Sequence, residues 1–272
     1  MAQTISTNMA SLNAQRNIPA SQSSLATSMQ RLSSGLRVNS AKDDASGLAI
    51  ADRMNAQIRG ANVAIRNAND GISLMQTAEG ALATITDALQ RMRELAVQSL
   101  NATNTTSDRV NLITEYHALR YEVTRIATET KFNGIAIVGT GAGLQTIQIQ
   151  VGANNGDTML LTTANITNFF SVTSVYSVEL ANSALLSLNN FIDRVTTQRA
   201  WYGAAMSRLE FAISNLHITS ENQAAARGRI VDADFAAETA NLSRAQILQQ
   251  AGNAMVAQAN QLPRQVLQLL KG

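Results

Sequence analysis

Met54-Asn-Ala-Gln-Ile-Arg-Gly-Ala-Asn-Val-Ala-Ile-Arg-Asn-Ala-Asn-Asp-Gly-Ile-Ser-Leu-Met75 decides the fold class of this chain. Within it Met54, Ile58, Ala61, Ile65, Ala68, Ile72 and Met75 alternate steps of four and three. After a break at Glu79 the pattern resumes through Leu82, Ile85, Leu89 and Met92. Sustained three-four spacing marks helices that supercoil and pack knobs into holes. A shorter seam runs through Leu112, Tyr116, Leu119, Val123 and Ile126. A third runs from Leu185 through Leu188, Ile192, Val195, Tyr202, Met206, Leu209 and Ile213 to Leu216, with Arg199 filling one expected apolar slot. A forty-residue helix is roughly 60 Å long, so the middle of the chain is expected to form a helical rod.

Working outward, the flanks of these seams carry start and stop signals. Ser40 with Asp43, and Thr105 with Asp108, resemble capping boxes at helix starts. Residues 101–107 read as a polar turn between the first two helices. Ile147, Ile149 and Val151 alternate with Gln148 and Gln150, a half-buried strand. Asn155-Gly156 then supplies a hairpin turn, with residues 159–163 as the return strand. This is the only β structure expected. Residues 169–180 are apolar and rich in Ser and Thr, and the pattern leaves strand and helix both open.

The two ends match each other. Residues 1–30 hold one charged side chain, Arg16, and residues 245–272 hold two, Arg264 and Lys271. Leu25, Met29, Leu32 and Leu36 step at helical spacing near one end; Met255, Ala259, Leu262, Val266 and Leu269 do so at the other. A solvated helix face usually carries Lys and Glu, and these faces have almost none. Helix formation also has a costly nucleus. Such ends are expected to order only when covered by each other, by a membrane or by copies of the same protein.

Composition narrows the function. The 272 residues are 45% hydrophobic but only 4% aromatic, which suits long helices lying side by side better than a compact enzyme core. A formal net charge of +2 with scattered basic residues gives no nucleic-acid footprint. There is no cysteine, hence no disulfide and no thiolate metal site. No stretch has the eighteen or so apolar residues that would span a bilayer. Residues 5–12 are too polar for a cleavable signal, so export would take another route.

Enzymatic constellations are weak. His117 and His217 sit in helical stretches with no metal-ligand spacing between them. Gly139, Gly141 and Gly143 lack the third glycine of a dinucleotide loop, since Leu144 follows, and read as a turn. Asp232, Asp234 and Glu238 read as a helix N-cap with acids in the first turn, not a calcium loop, which needs more ligands and a mid-loop glycine. No catalytic residue, cofactor or metal is expected.

Residues 32–50 read Leu-Ser-Ser-Gly-Leu-Arg-Val-Asn-Ser-Ala-Lys-Asp-Asp-Ala-Ser-Gly-Leu-Ala-Ile. With them stand Arg66-Asn-Ala-Asn-Asp-Gly-Ile-Ser73, Gln90-Arg-Met-Arg-Glu-Leu-Ala-Val-Gln98 and Lys131-Phe-Asn-Gly134. Later come Ser220-Glu-Asn222, Arg229-Ile-Val-Asp-Ala-Asp-Phe-Ala-Ala-Glu238, Gln249-Gln-Ala-Gly-Asn-Ala254 and the closing Leu269-Leu270. Over about residues 1–165 and 185–272 the chain closely resembles bacterial flagellin.

The resemblance implies a mainly α protein: a long coiled-coil helical rod with a small β-hairpin at about 135–165, and N- and C-terminal helices paired. Residues 1–43 and 231–272 would be the two halves of an inner coiled coil lining the filament tube, and 44–230 the rod. Large outer domains would be absent, or reduced to about 162–178, and Phe169-Phe170 departs from the family pattern. The implied role is a secreted, extracellular subunit that self-assembles into the helical flagellar filament, its termini folding as it polymerises. Self-assembly would use Leu25, Met29, Leu32, Leu36, Met255, Leu262, Val266 and Leu269. Implied partners are identical subunits, an export chaperone, the filament cap, hook-associated proteins and host flagellin receptors, but neither nucleic acid nor membrane. Gln90, Arg91, Glu94 and Leu95, with Glu115, match the patch gripped by the flagellin-sensing Toll-like receptor; the alternative is contact with a neighbouring subunit. Val266, Leu267, Leu269 and Leu270 resemble the end sensed by inflammasome receptors, although Arg264 puts a charge where a neutral residue is usual.

One rival is a hook–filament junction protein, but Lys42-Asp43-Asp44-Ala45-Ser46 lacks the proline such proteins carry beside the paired Asp. Another is a membrane-active secreted helical protein, which would favour cationic faces and Trp at its ends. Ordering the ends costs entropy, offset by apolar burial at about 25 cal/mol per Å². Deleting residues 1–30 or 245–272 should therefore leave a helical, soluble chain that cannot polymerise. Sedimentation of normal filaments from either truncation would contradict this.

Overall fold

The computed structural model describes residues 7–139, 146–165 and 174–271. The fold is mainly helical. The described elements, in chain order, are α1 (Met9–Ser34), α2 (Ala45–Ser99), α3 (Thr106–Glu129), β1 (Lys131–Phe132), β2 (Ile135–Ala136), β3 (Val138–Gly139), β4 (Thr146–Gln150), β5 (Thr158–Thr162), β6 (Ala164–Asn165), α4 (Val178–Val231) and α5 (Phe235–Lys271). Two compact units are formed, one from residues 1–56 and 222–272, the other from 57–221.

In the second unit all three seams turn inward. Ala68, Met75, Leu82, Leu89 and Met92 of α2 are buried with Tyr116 and Val123 of α3 and with Leu188, Val195, Tyr202 and Leu209 of α4. Arg93 Nε donates to Asn189 Oδ1 at 2.8 Å, and Arg199 meets Glu79, so α2 and α4 run antiparallel. The two polar interruptions answer each other: Arg199 Nη2 and Nε donate to Glu79 Oε1 at 2.7 and 3.0 Å. A charge in each apolar stripe is tolerable because they share one level of the bundle.

The helix starts divide. Thr105 and Asp108 form the expected capping box for α3. The hydrogen bonds from Thr105 hold the Asp108 carboxyl below its ordinary range. Ser40 and Asp43 do not begin α2. Asp43 Oδ2 accepts from Ser40 N and Ser40 Oγ to close a turn, and the helix begins at Ala45 behind Asp44, whose Oδ1 accepts from Gly47 N at 2.8 Å. The nearer acid takes the cap.

The hairpin is antiparallel, Gln150 facing Thr158 and Thr146 facing Thr162. Its connection is longer than an Asn155-Gly156 two-residue turn: residues 151–157 form a loop pinned by Asn154 N donating to Asp157 Oδ2 at 3.0 Å. Gly60 lets that loop approach α2, because a Cβ there would lie 2.7 Å from the Ala153 Cβ. Two further strand pairs were not expected. β1 and β2 join through Asn133-Gly134, both with positive φ as a tight turn requires. β3 and β6 pair in parallel. The Gly141 and Gly143 turn and Phe169-Phe170 lie outside the described residues. Of residues 169–180, Val175 is buried and α4 has begun by Val178.

Replacing Arg199 by Met should leave half-buried Glu79 without its partner and cost about 1 kcal/mol. Adding Glu79→Leu should recover most of that loss, as read by urea unfolding of the single and double variants.

Candidate assembly surface of the terminal helices

The first unit is built on α1 and α5, which lie antiparallel. Asn8 Nδ2 donates to Ala259 O at 2.8 Å near one end. Midway, Ile18 Cγ1 lies 3.1 Å from where a Gly252 Cβ would stand. Near the other end Ser28 Oγ donates to Glu238 Oε1 at 2.5 Å. The chain ends are also stitched by backbone: Leu36 and Asp232 form an antiparallel bridge, with Ala233 N donating to Gly35 O at 2.9 Å. Gly35 takes a left-handed conformation to close α1. α1 is continuous through Pro19.

The seam between them alternates small or polar side chains with Ile18, Leu25, Leu32, Leu242 and Val256. On α5 the residues turned inward are Glu238, Leu242, Ala245, Gln249, Gly252, Val256 and Ala259, again in steps of four and three. On α1 they are Ser11, Ala14, Ile18, Ser21, Leu25, Ser28 and Leu32. Further large apolar residues lie outside. Met9, Leu12 and Met29 of α1 are exposed, as are Phe235, Ile247, Leu248 and Met255 of α5. A groove of about 470 Å³ runs beside the seam, with Arg31, Arg244 and Leu248 among its lining residues.

Of the residues expected to assemble, Leu25, Leu32 and Leu36 are partly buried within the unit, Leu36 against Val38, Ala51 and Val231. Met29 and Met255 stand out into solvent, 57% and 64% exposed. The stripe through Met255 therefore flanks the intrachain seam, which passes through Val256 and Ala259. α5 continues to Lys271, but the side chains of Leu262, Val266, Leu267, Leu269 and Leu270 lie outside the described residues. The seam members Ser11, Ser28, Ala245 and Gly252 escaped a reading based on apolar stripes. Their signal is a heptad of small residues. Asp234 caps α5 as expected, its Oδ1 accepting from Ala236 N and Ala237 N at 2.9 and 3.1 Å.

The other expected patch lies in the second unit, on adjoining faces of α2 and α3. Arg91 Nε donates to Glu115 Oε1 at 2.8 Å and Nη1 to Glu94 Oε2 at 2.9 Å, so one guanidinium ties both acids. Those bonds, Glu115 first, raise the Arg91 pKa. Gln90, Arg91, Glu94 and Glu115 are exposed together. Leu95 is not part of that surface: it is 1% exposed and sits in the core beneath. Its position explains this, since Met92, Leu95 and Ala96 share one helical face and that face is the inner stripe of α2. His117 is partly buried beside Tyr116, and His217 is exposed on α4. Among the described residues no group of three or more His, Asp or Glu could hold a metal, and no helix is long and apolar enough to cross a membrane.

Comparison with known proteins gives this architecture its place. The family described as the bacterial flagellin N-terminal helical region matches residues 5–139, and the bacterial flagellin C-terminal helical region matches 186–270. Flagellin of Halalkalibacterium halodurans is 44% identical over 272 residues, covering 98% of this chain and 99% of that one. The crystal structure of Bacillus cereus flagellin superposes with a TM-score of 0.52 at 33% identity, over 56% of this chain and 88% of that one. A putative flagellar hook-associated protein from Vibrio parahaemolyticus shares the fold, with a TM-score of 0.55 at 14% identity over 70% of this chain and 100% of that one. Matched across both helical regions and nearly end to end by a relative of its own length, the chain belongs to the bacterial flagellin family.

Proposed function

We propose that the chain pairs its own ends through one face of each terminal helix and keeps the exposed apolar residues of the outer face for sister subunits. As a flagellin it is a structural subunit of the extracellular filament of the bacterial flagellum. The observation that carries the proposal is the outer face of the terminal unit, where Met9, Leu12, Met29, Ile247, Leu248 and Met255 stand exposed. A monomer that ends its life in water would favour the reverse. Outer side chains such as Met9, Leu12, Ile247 and Met255 gain cover when copies stack, and a head-to-tail contact that does not close generates a helix of subunits. Residues 1–43 and 231–272 then form the inner tube and 44–230 the wall around it. Leu262, Val266 and Leu269 are assigned to the same self-assembly role. We read the role as structural, not catalytic.

The same exposed ends suit transient partners. Before polymerisation an export chaperone would cover them, and at the growing end the filament cap would receive them. Gln90, Arg91, Glu94 and Glu115 form a flat charged patch fit for a host Toll-like receptor on the free subunit, or for a neighbouring subunit in the filament. Leu95 supports that patch from below. The inflammasome-sensed end is assigned to Val266, Leu267, Leu269 and Leu270.

Charging the outer face tests the central idea. Ile247→Glu with Met255→Glu should preserve helical content, since neither side chain enters the α1–α5 seam, yet prevent sedimentable polymer; filaments at normal yield would refute it. For the patch, Arg91→Ala should weaken receptor signalling by free subunits about tenfold or more, the loss typical of a central charged anchor. An unchanged dose response would remove the patch from consideration.

A further inference from the structure

We propose that the cluster of Ser28, Arg31 and Glu238 locks the rotation of α5 about its own axis against α1. The lock turns the face of Glu238, Ala245 and Gly252 inward and leaves that of Leu248 and Met255 free for sister subunits. This deepens the assembly reading above and rests on it.

Lengthwise register is already set close by. The Leu36–Asp232 bridge and the bond from Ala233 N to Gly35 O tie the start of α5 to the end of α1. Rotation is a separate freedom, because only the Asp234 cap lies between that bridge and the first helical residue, Phe235. Apolar burial alone does not choose the face. Leu248 and Met255 flank the seam, and turning α5 to bury them would expose Leu242 and Val256, side chains of similar size.

Something else must choose between the two faces, and Glu238 is placed to do so. Its residue is 7% exposed; one carboxylate oxygen accepts from Ser28 Oγ, and the other lies 3.6 Å from Arg31 Nη1. Turning α5 would draw the carboxylate away from both donors and press apolar side chains against them. A buried hydrogen bond to a charged group is worth more than a neutral one. A polar residue set in a helix seam trades stability for one arrangement over its competitors.

The chain contains no cysteine, so introduced pairs report alone. Ile18→Cys with Gly252→Cys should close a disulfide when the Gly252 face is inward, as the 3.1 Å approach at that level implies. Ile18→Cys with Met255→Cys reports the turned arrangement. In polymerised full-length chain the first pair should crosslink and the second should not. Glu238→Leu should lower the ratio of first to second crosslink about tenfold, and Ser28→Ala about threefold. Glu238→Gln, which keeps an acceptor for Ser28, should stay within about twofold of the parent. An unchanged ratio in both Glu238→Leu and Ser28→Ala overturns the lock. So does joint loss of both crosslinks, which marks α5 detaching from α1 instead of turning on it. Sedimentation keeps the two ideas apart: absence of polymer from the unsubstituted chain sinks the assembly reading, whereas a shifted ratio in polymer of normal yield bears on rotation alone.

Discussion

The close approach of α1 to α5 is the constraint on which the terminal unit depends. Small side chains at Ser11, Ser28, Ala245, Gly252 and Ala259 make room for that approach, with Ile18 packed against Gly252. Ile18, Leu25, Leu32, Leu242 and Val256 add partly buried apolar area, and hydrogen bonds supplement it: Asn8 to Ala259 O, Ser28 to Glu238, and the backbone bridge at Leu36. Met9, Leu12, Met29, Ile247, Leu248 and Met255 are left on the outer face of the same unit. One unit thus has a self-paired face and an exposed apolar face.

The second unit solves a different problem. Its core is conventional, with Leu, Ile, Met and two buried Tyr filling the space among α2, α3 and α4. Tyr116 carries a local penalty, since its hydroxyl is buried without a hydrogen-bond partner, and burial pushes that phenol's pKa upward. The ion pair of Glu79 and Arg199 places charge inside the bundle only where both helices offer it at one level. Above this core, Arg91 organises the exposed acids of two helices into one patch.

Much of this was legible in the sequence, and the failures share a cause. Large apolar residues at helical spacing located the seams of α2, α3 and α4, because there a wide apolar stripe does mean a core. At the ends the same rule pointed to Met29 and Met255, which face solvent, and passed over Ser28 and Gly252, which do not. A stripe shows which face seeks cover, not which partner covers it. Leu95 was misplaced because a motif match names a segment, whereas burial is decided residue by residue around the helix. The start of α2 moved from Ser40 to Ala45 because Asp43 and Asp44 both make local turns, and only the second leads into a helix. The pairs β1–β2 and β3–β6 are two residues per strand, too short to show any alternation.

The bond between Asn8 and Ala259 joins positions 251 residues apart. Closing so long a loop is entropically slow, and contacts of such separation form late. Synthesis runs from Asn8 toward Ala259, so for most of it the first helix has no partner to meet. The terminal helices cannot pair until the last segment is made, so completion of the fold is timed by arrival.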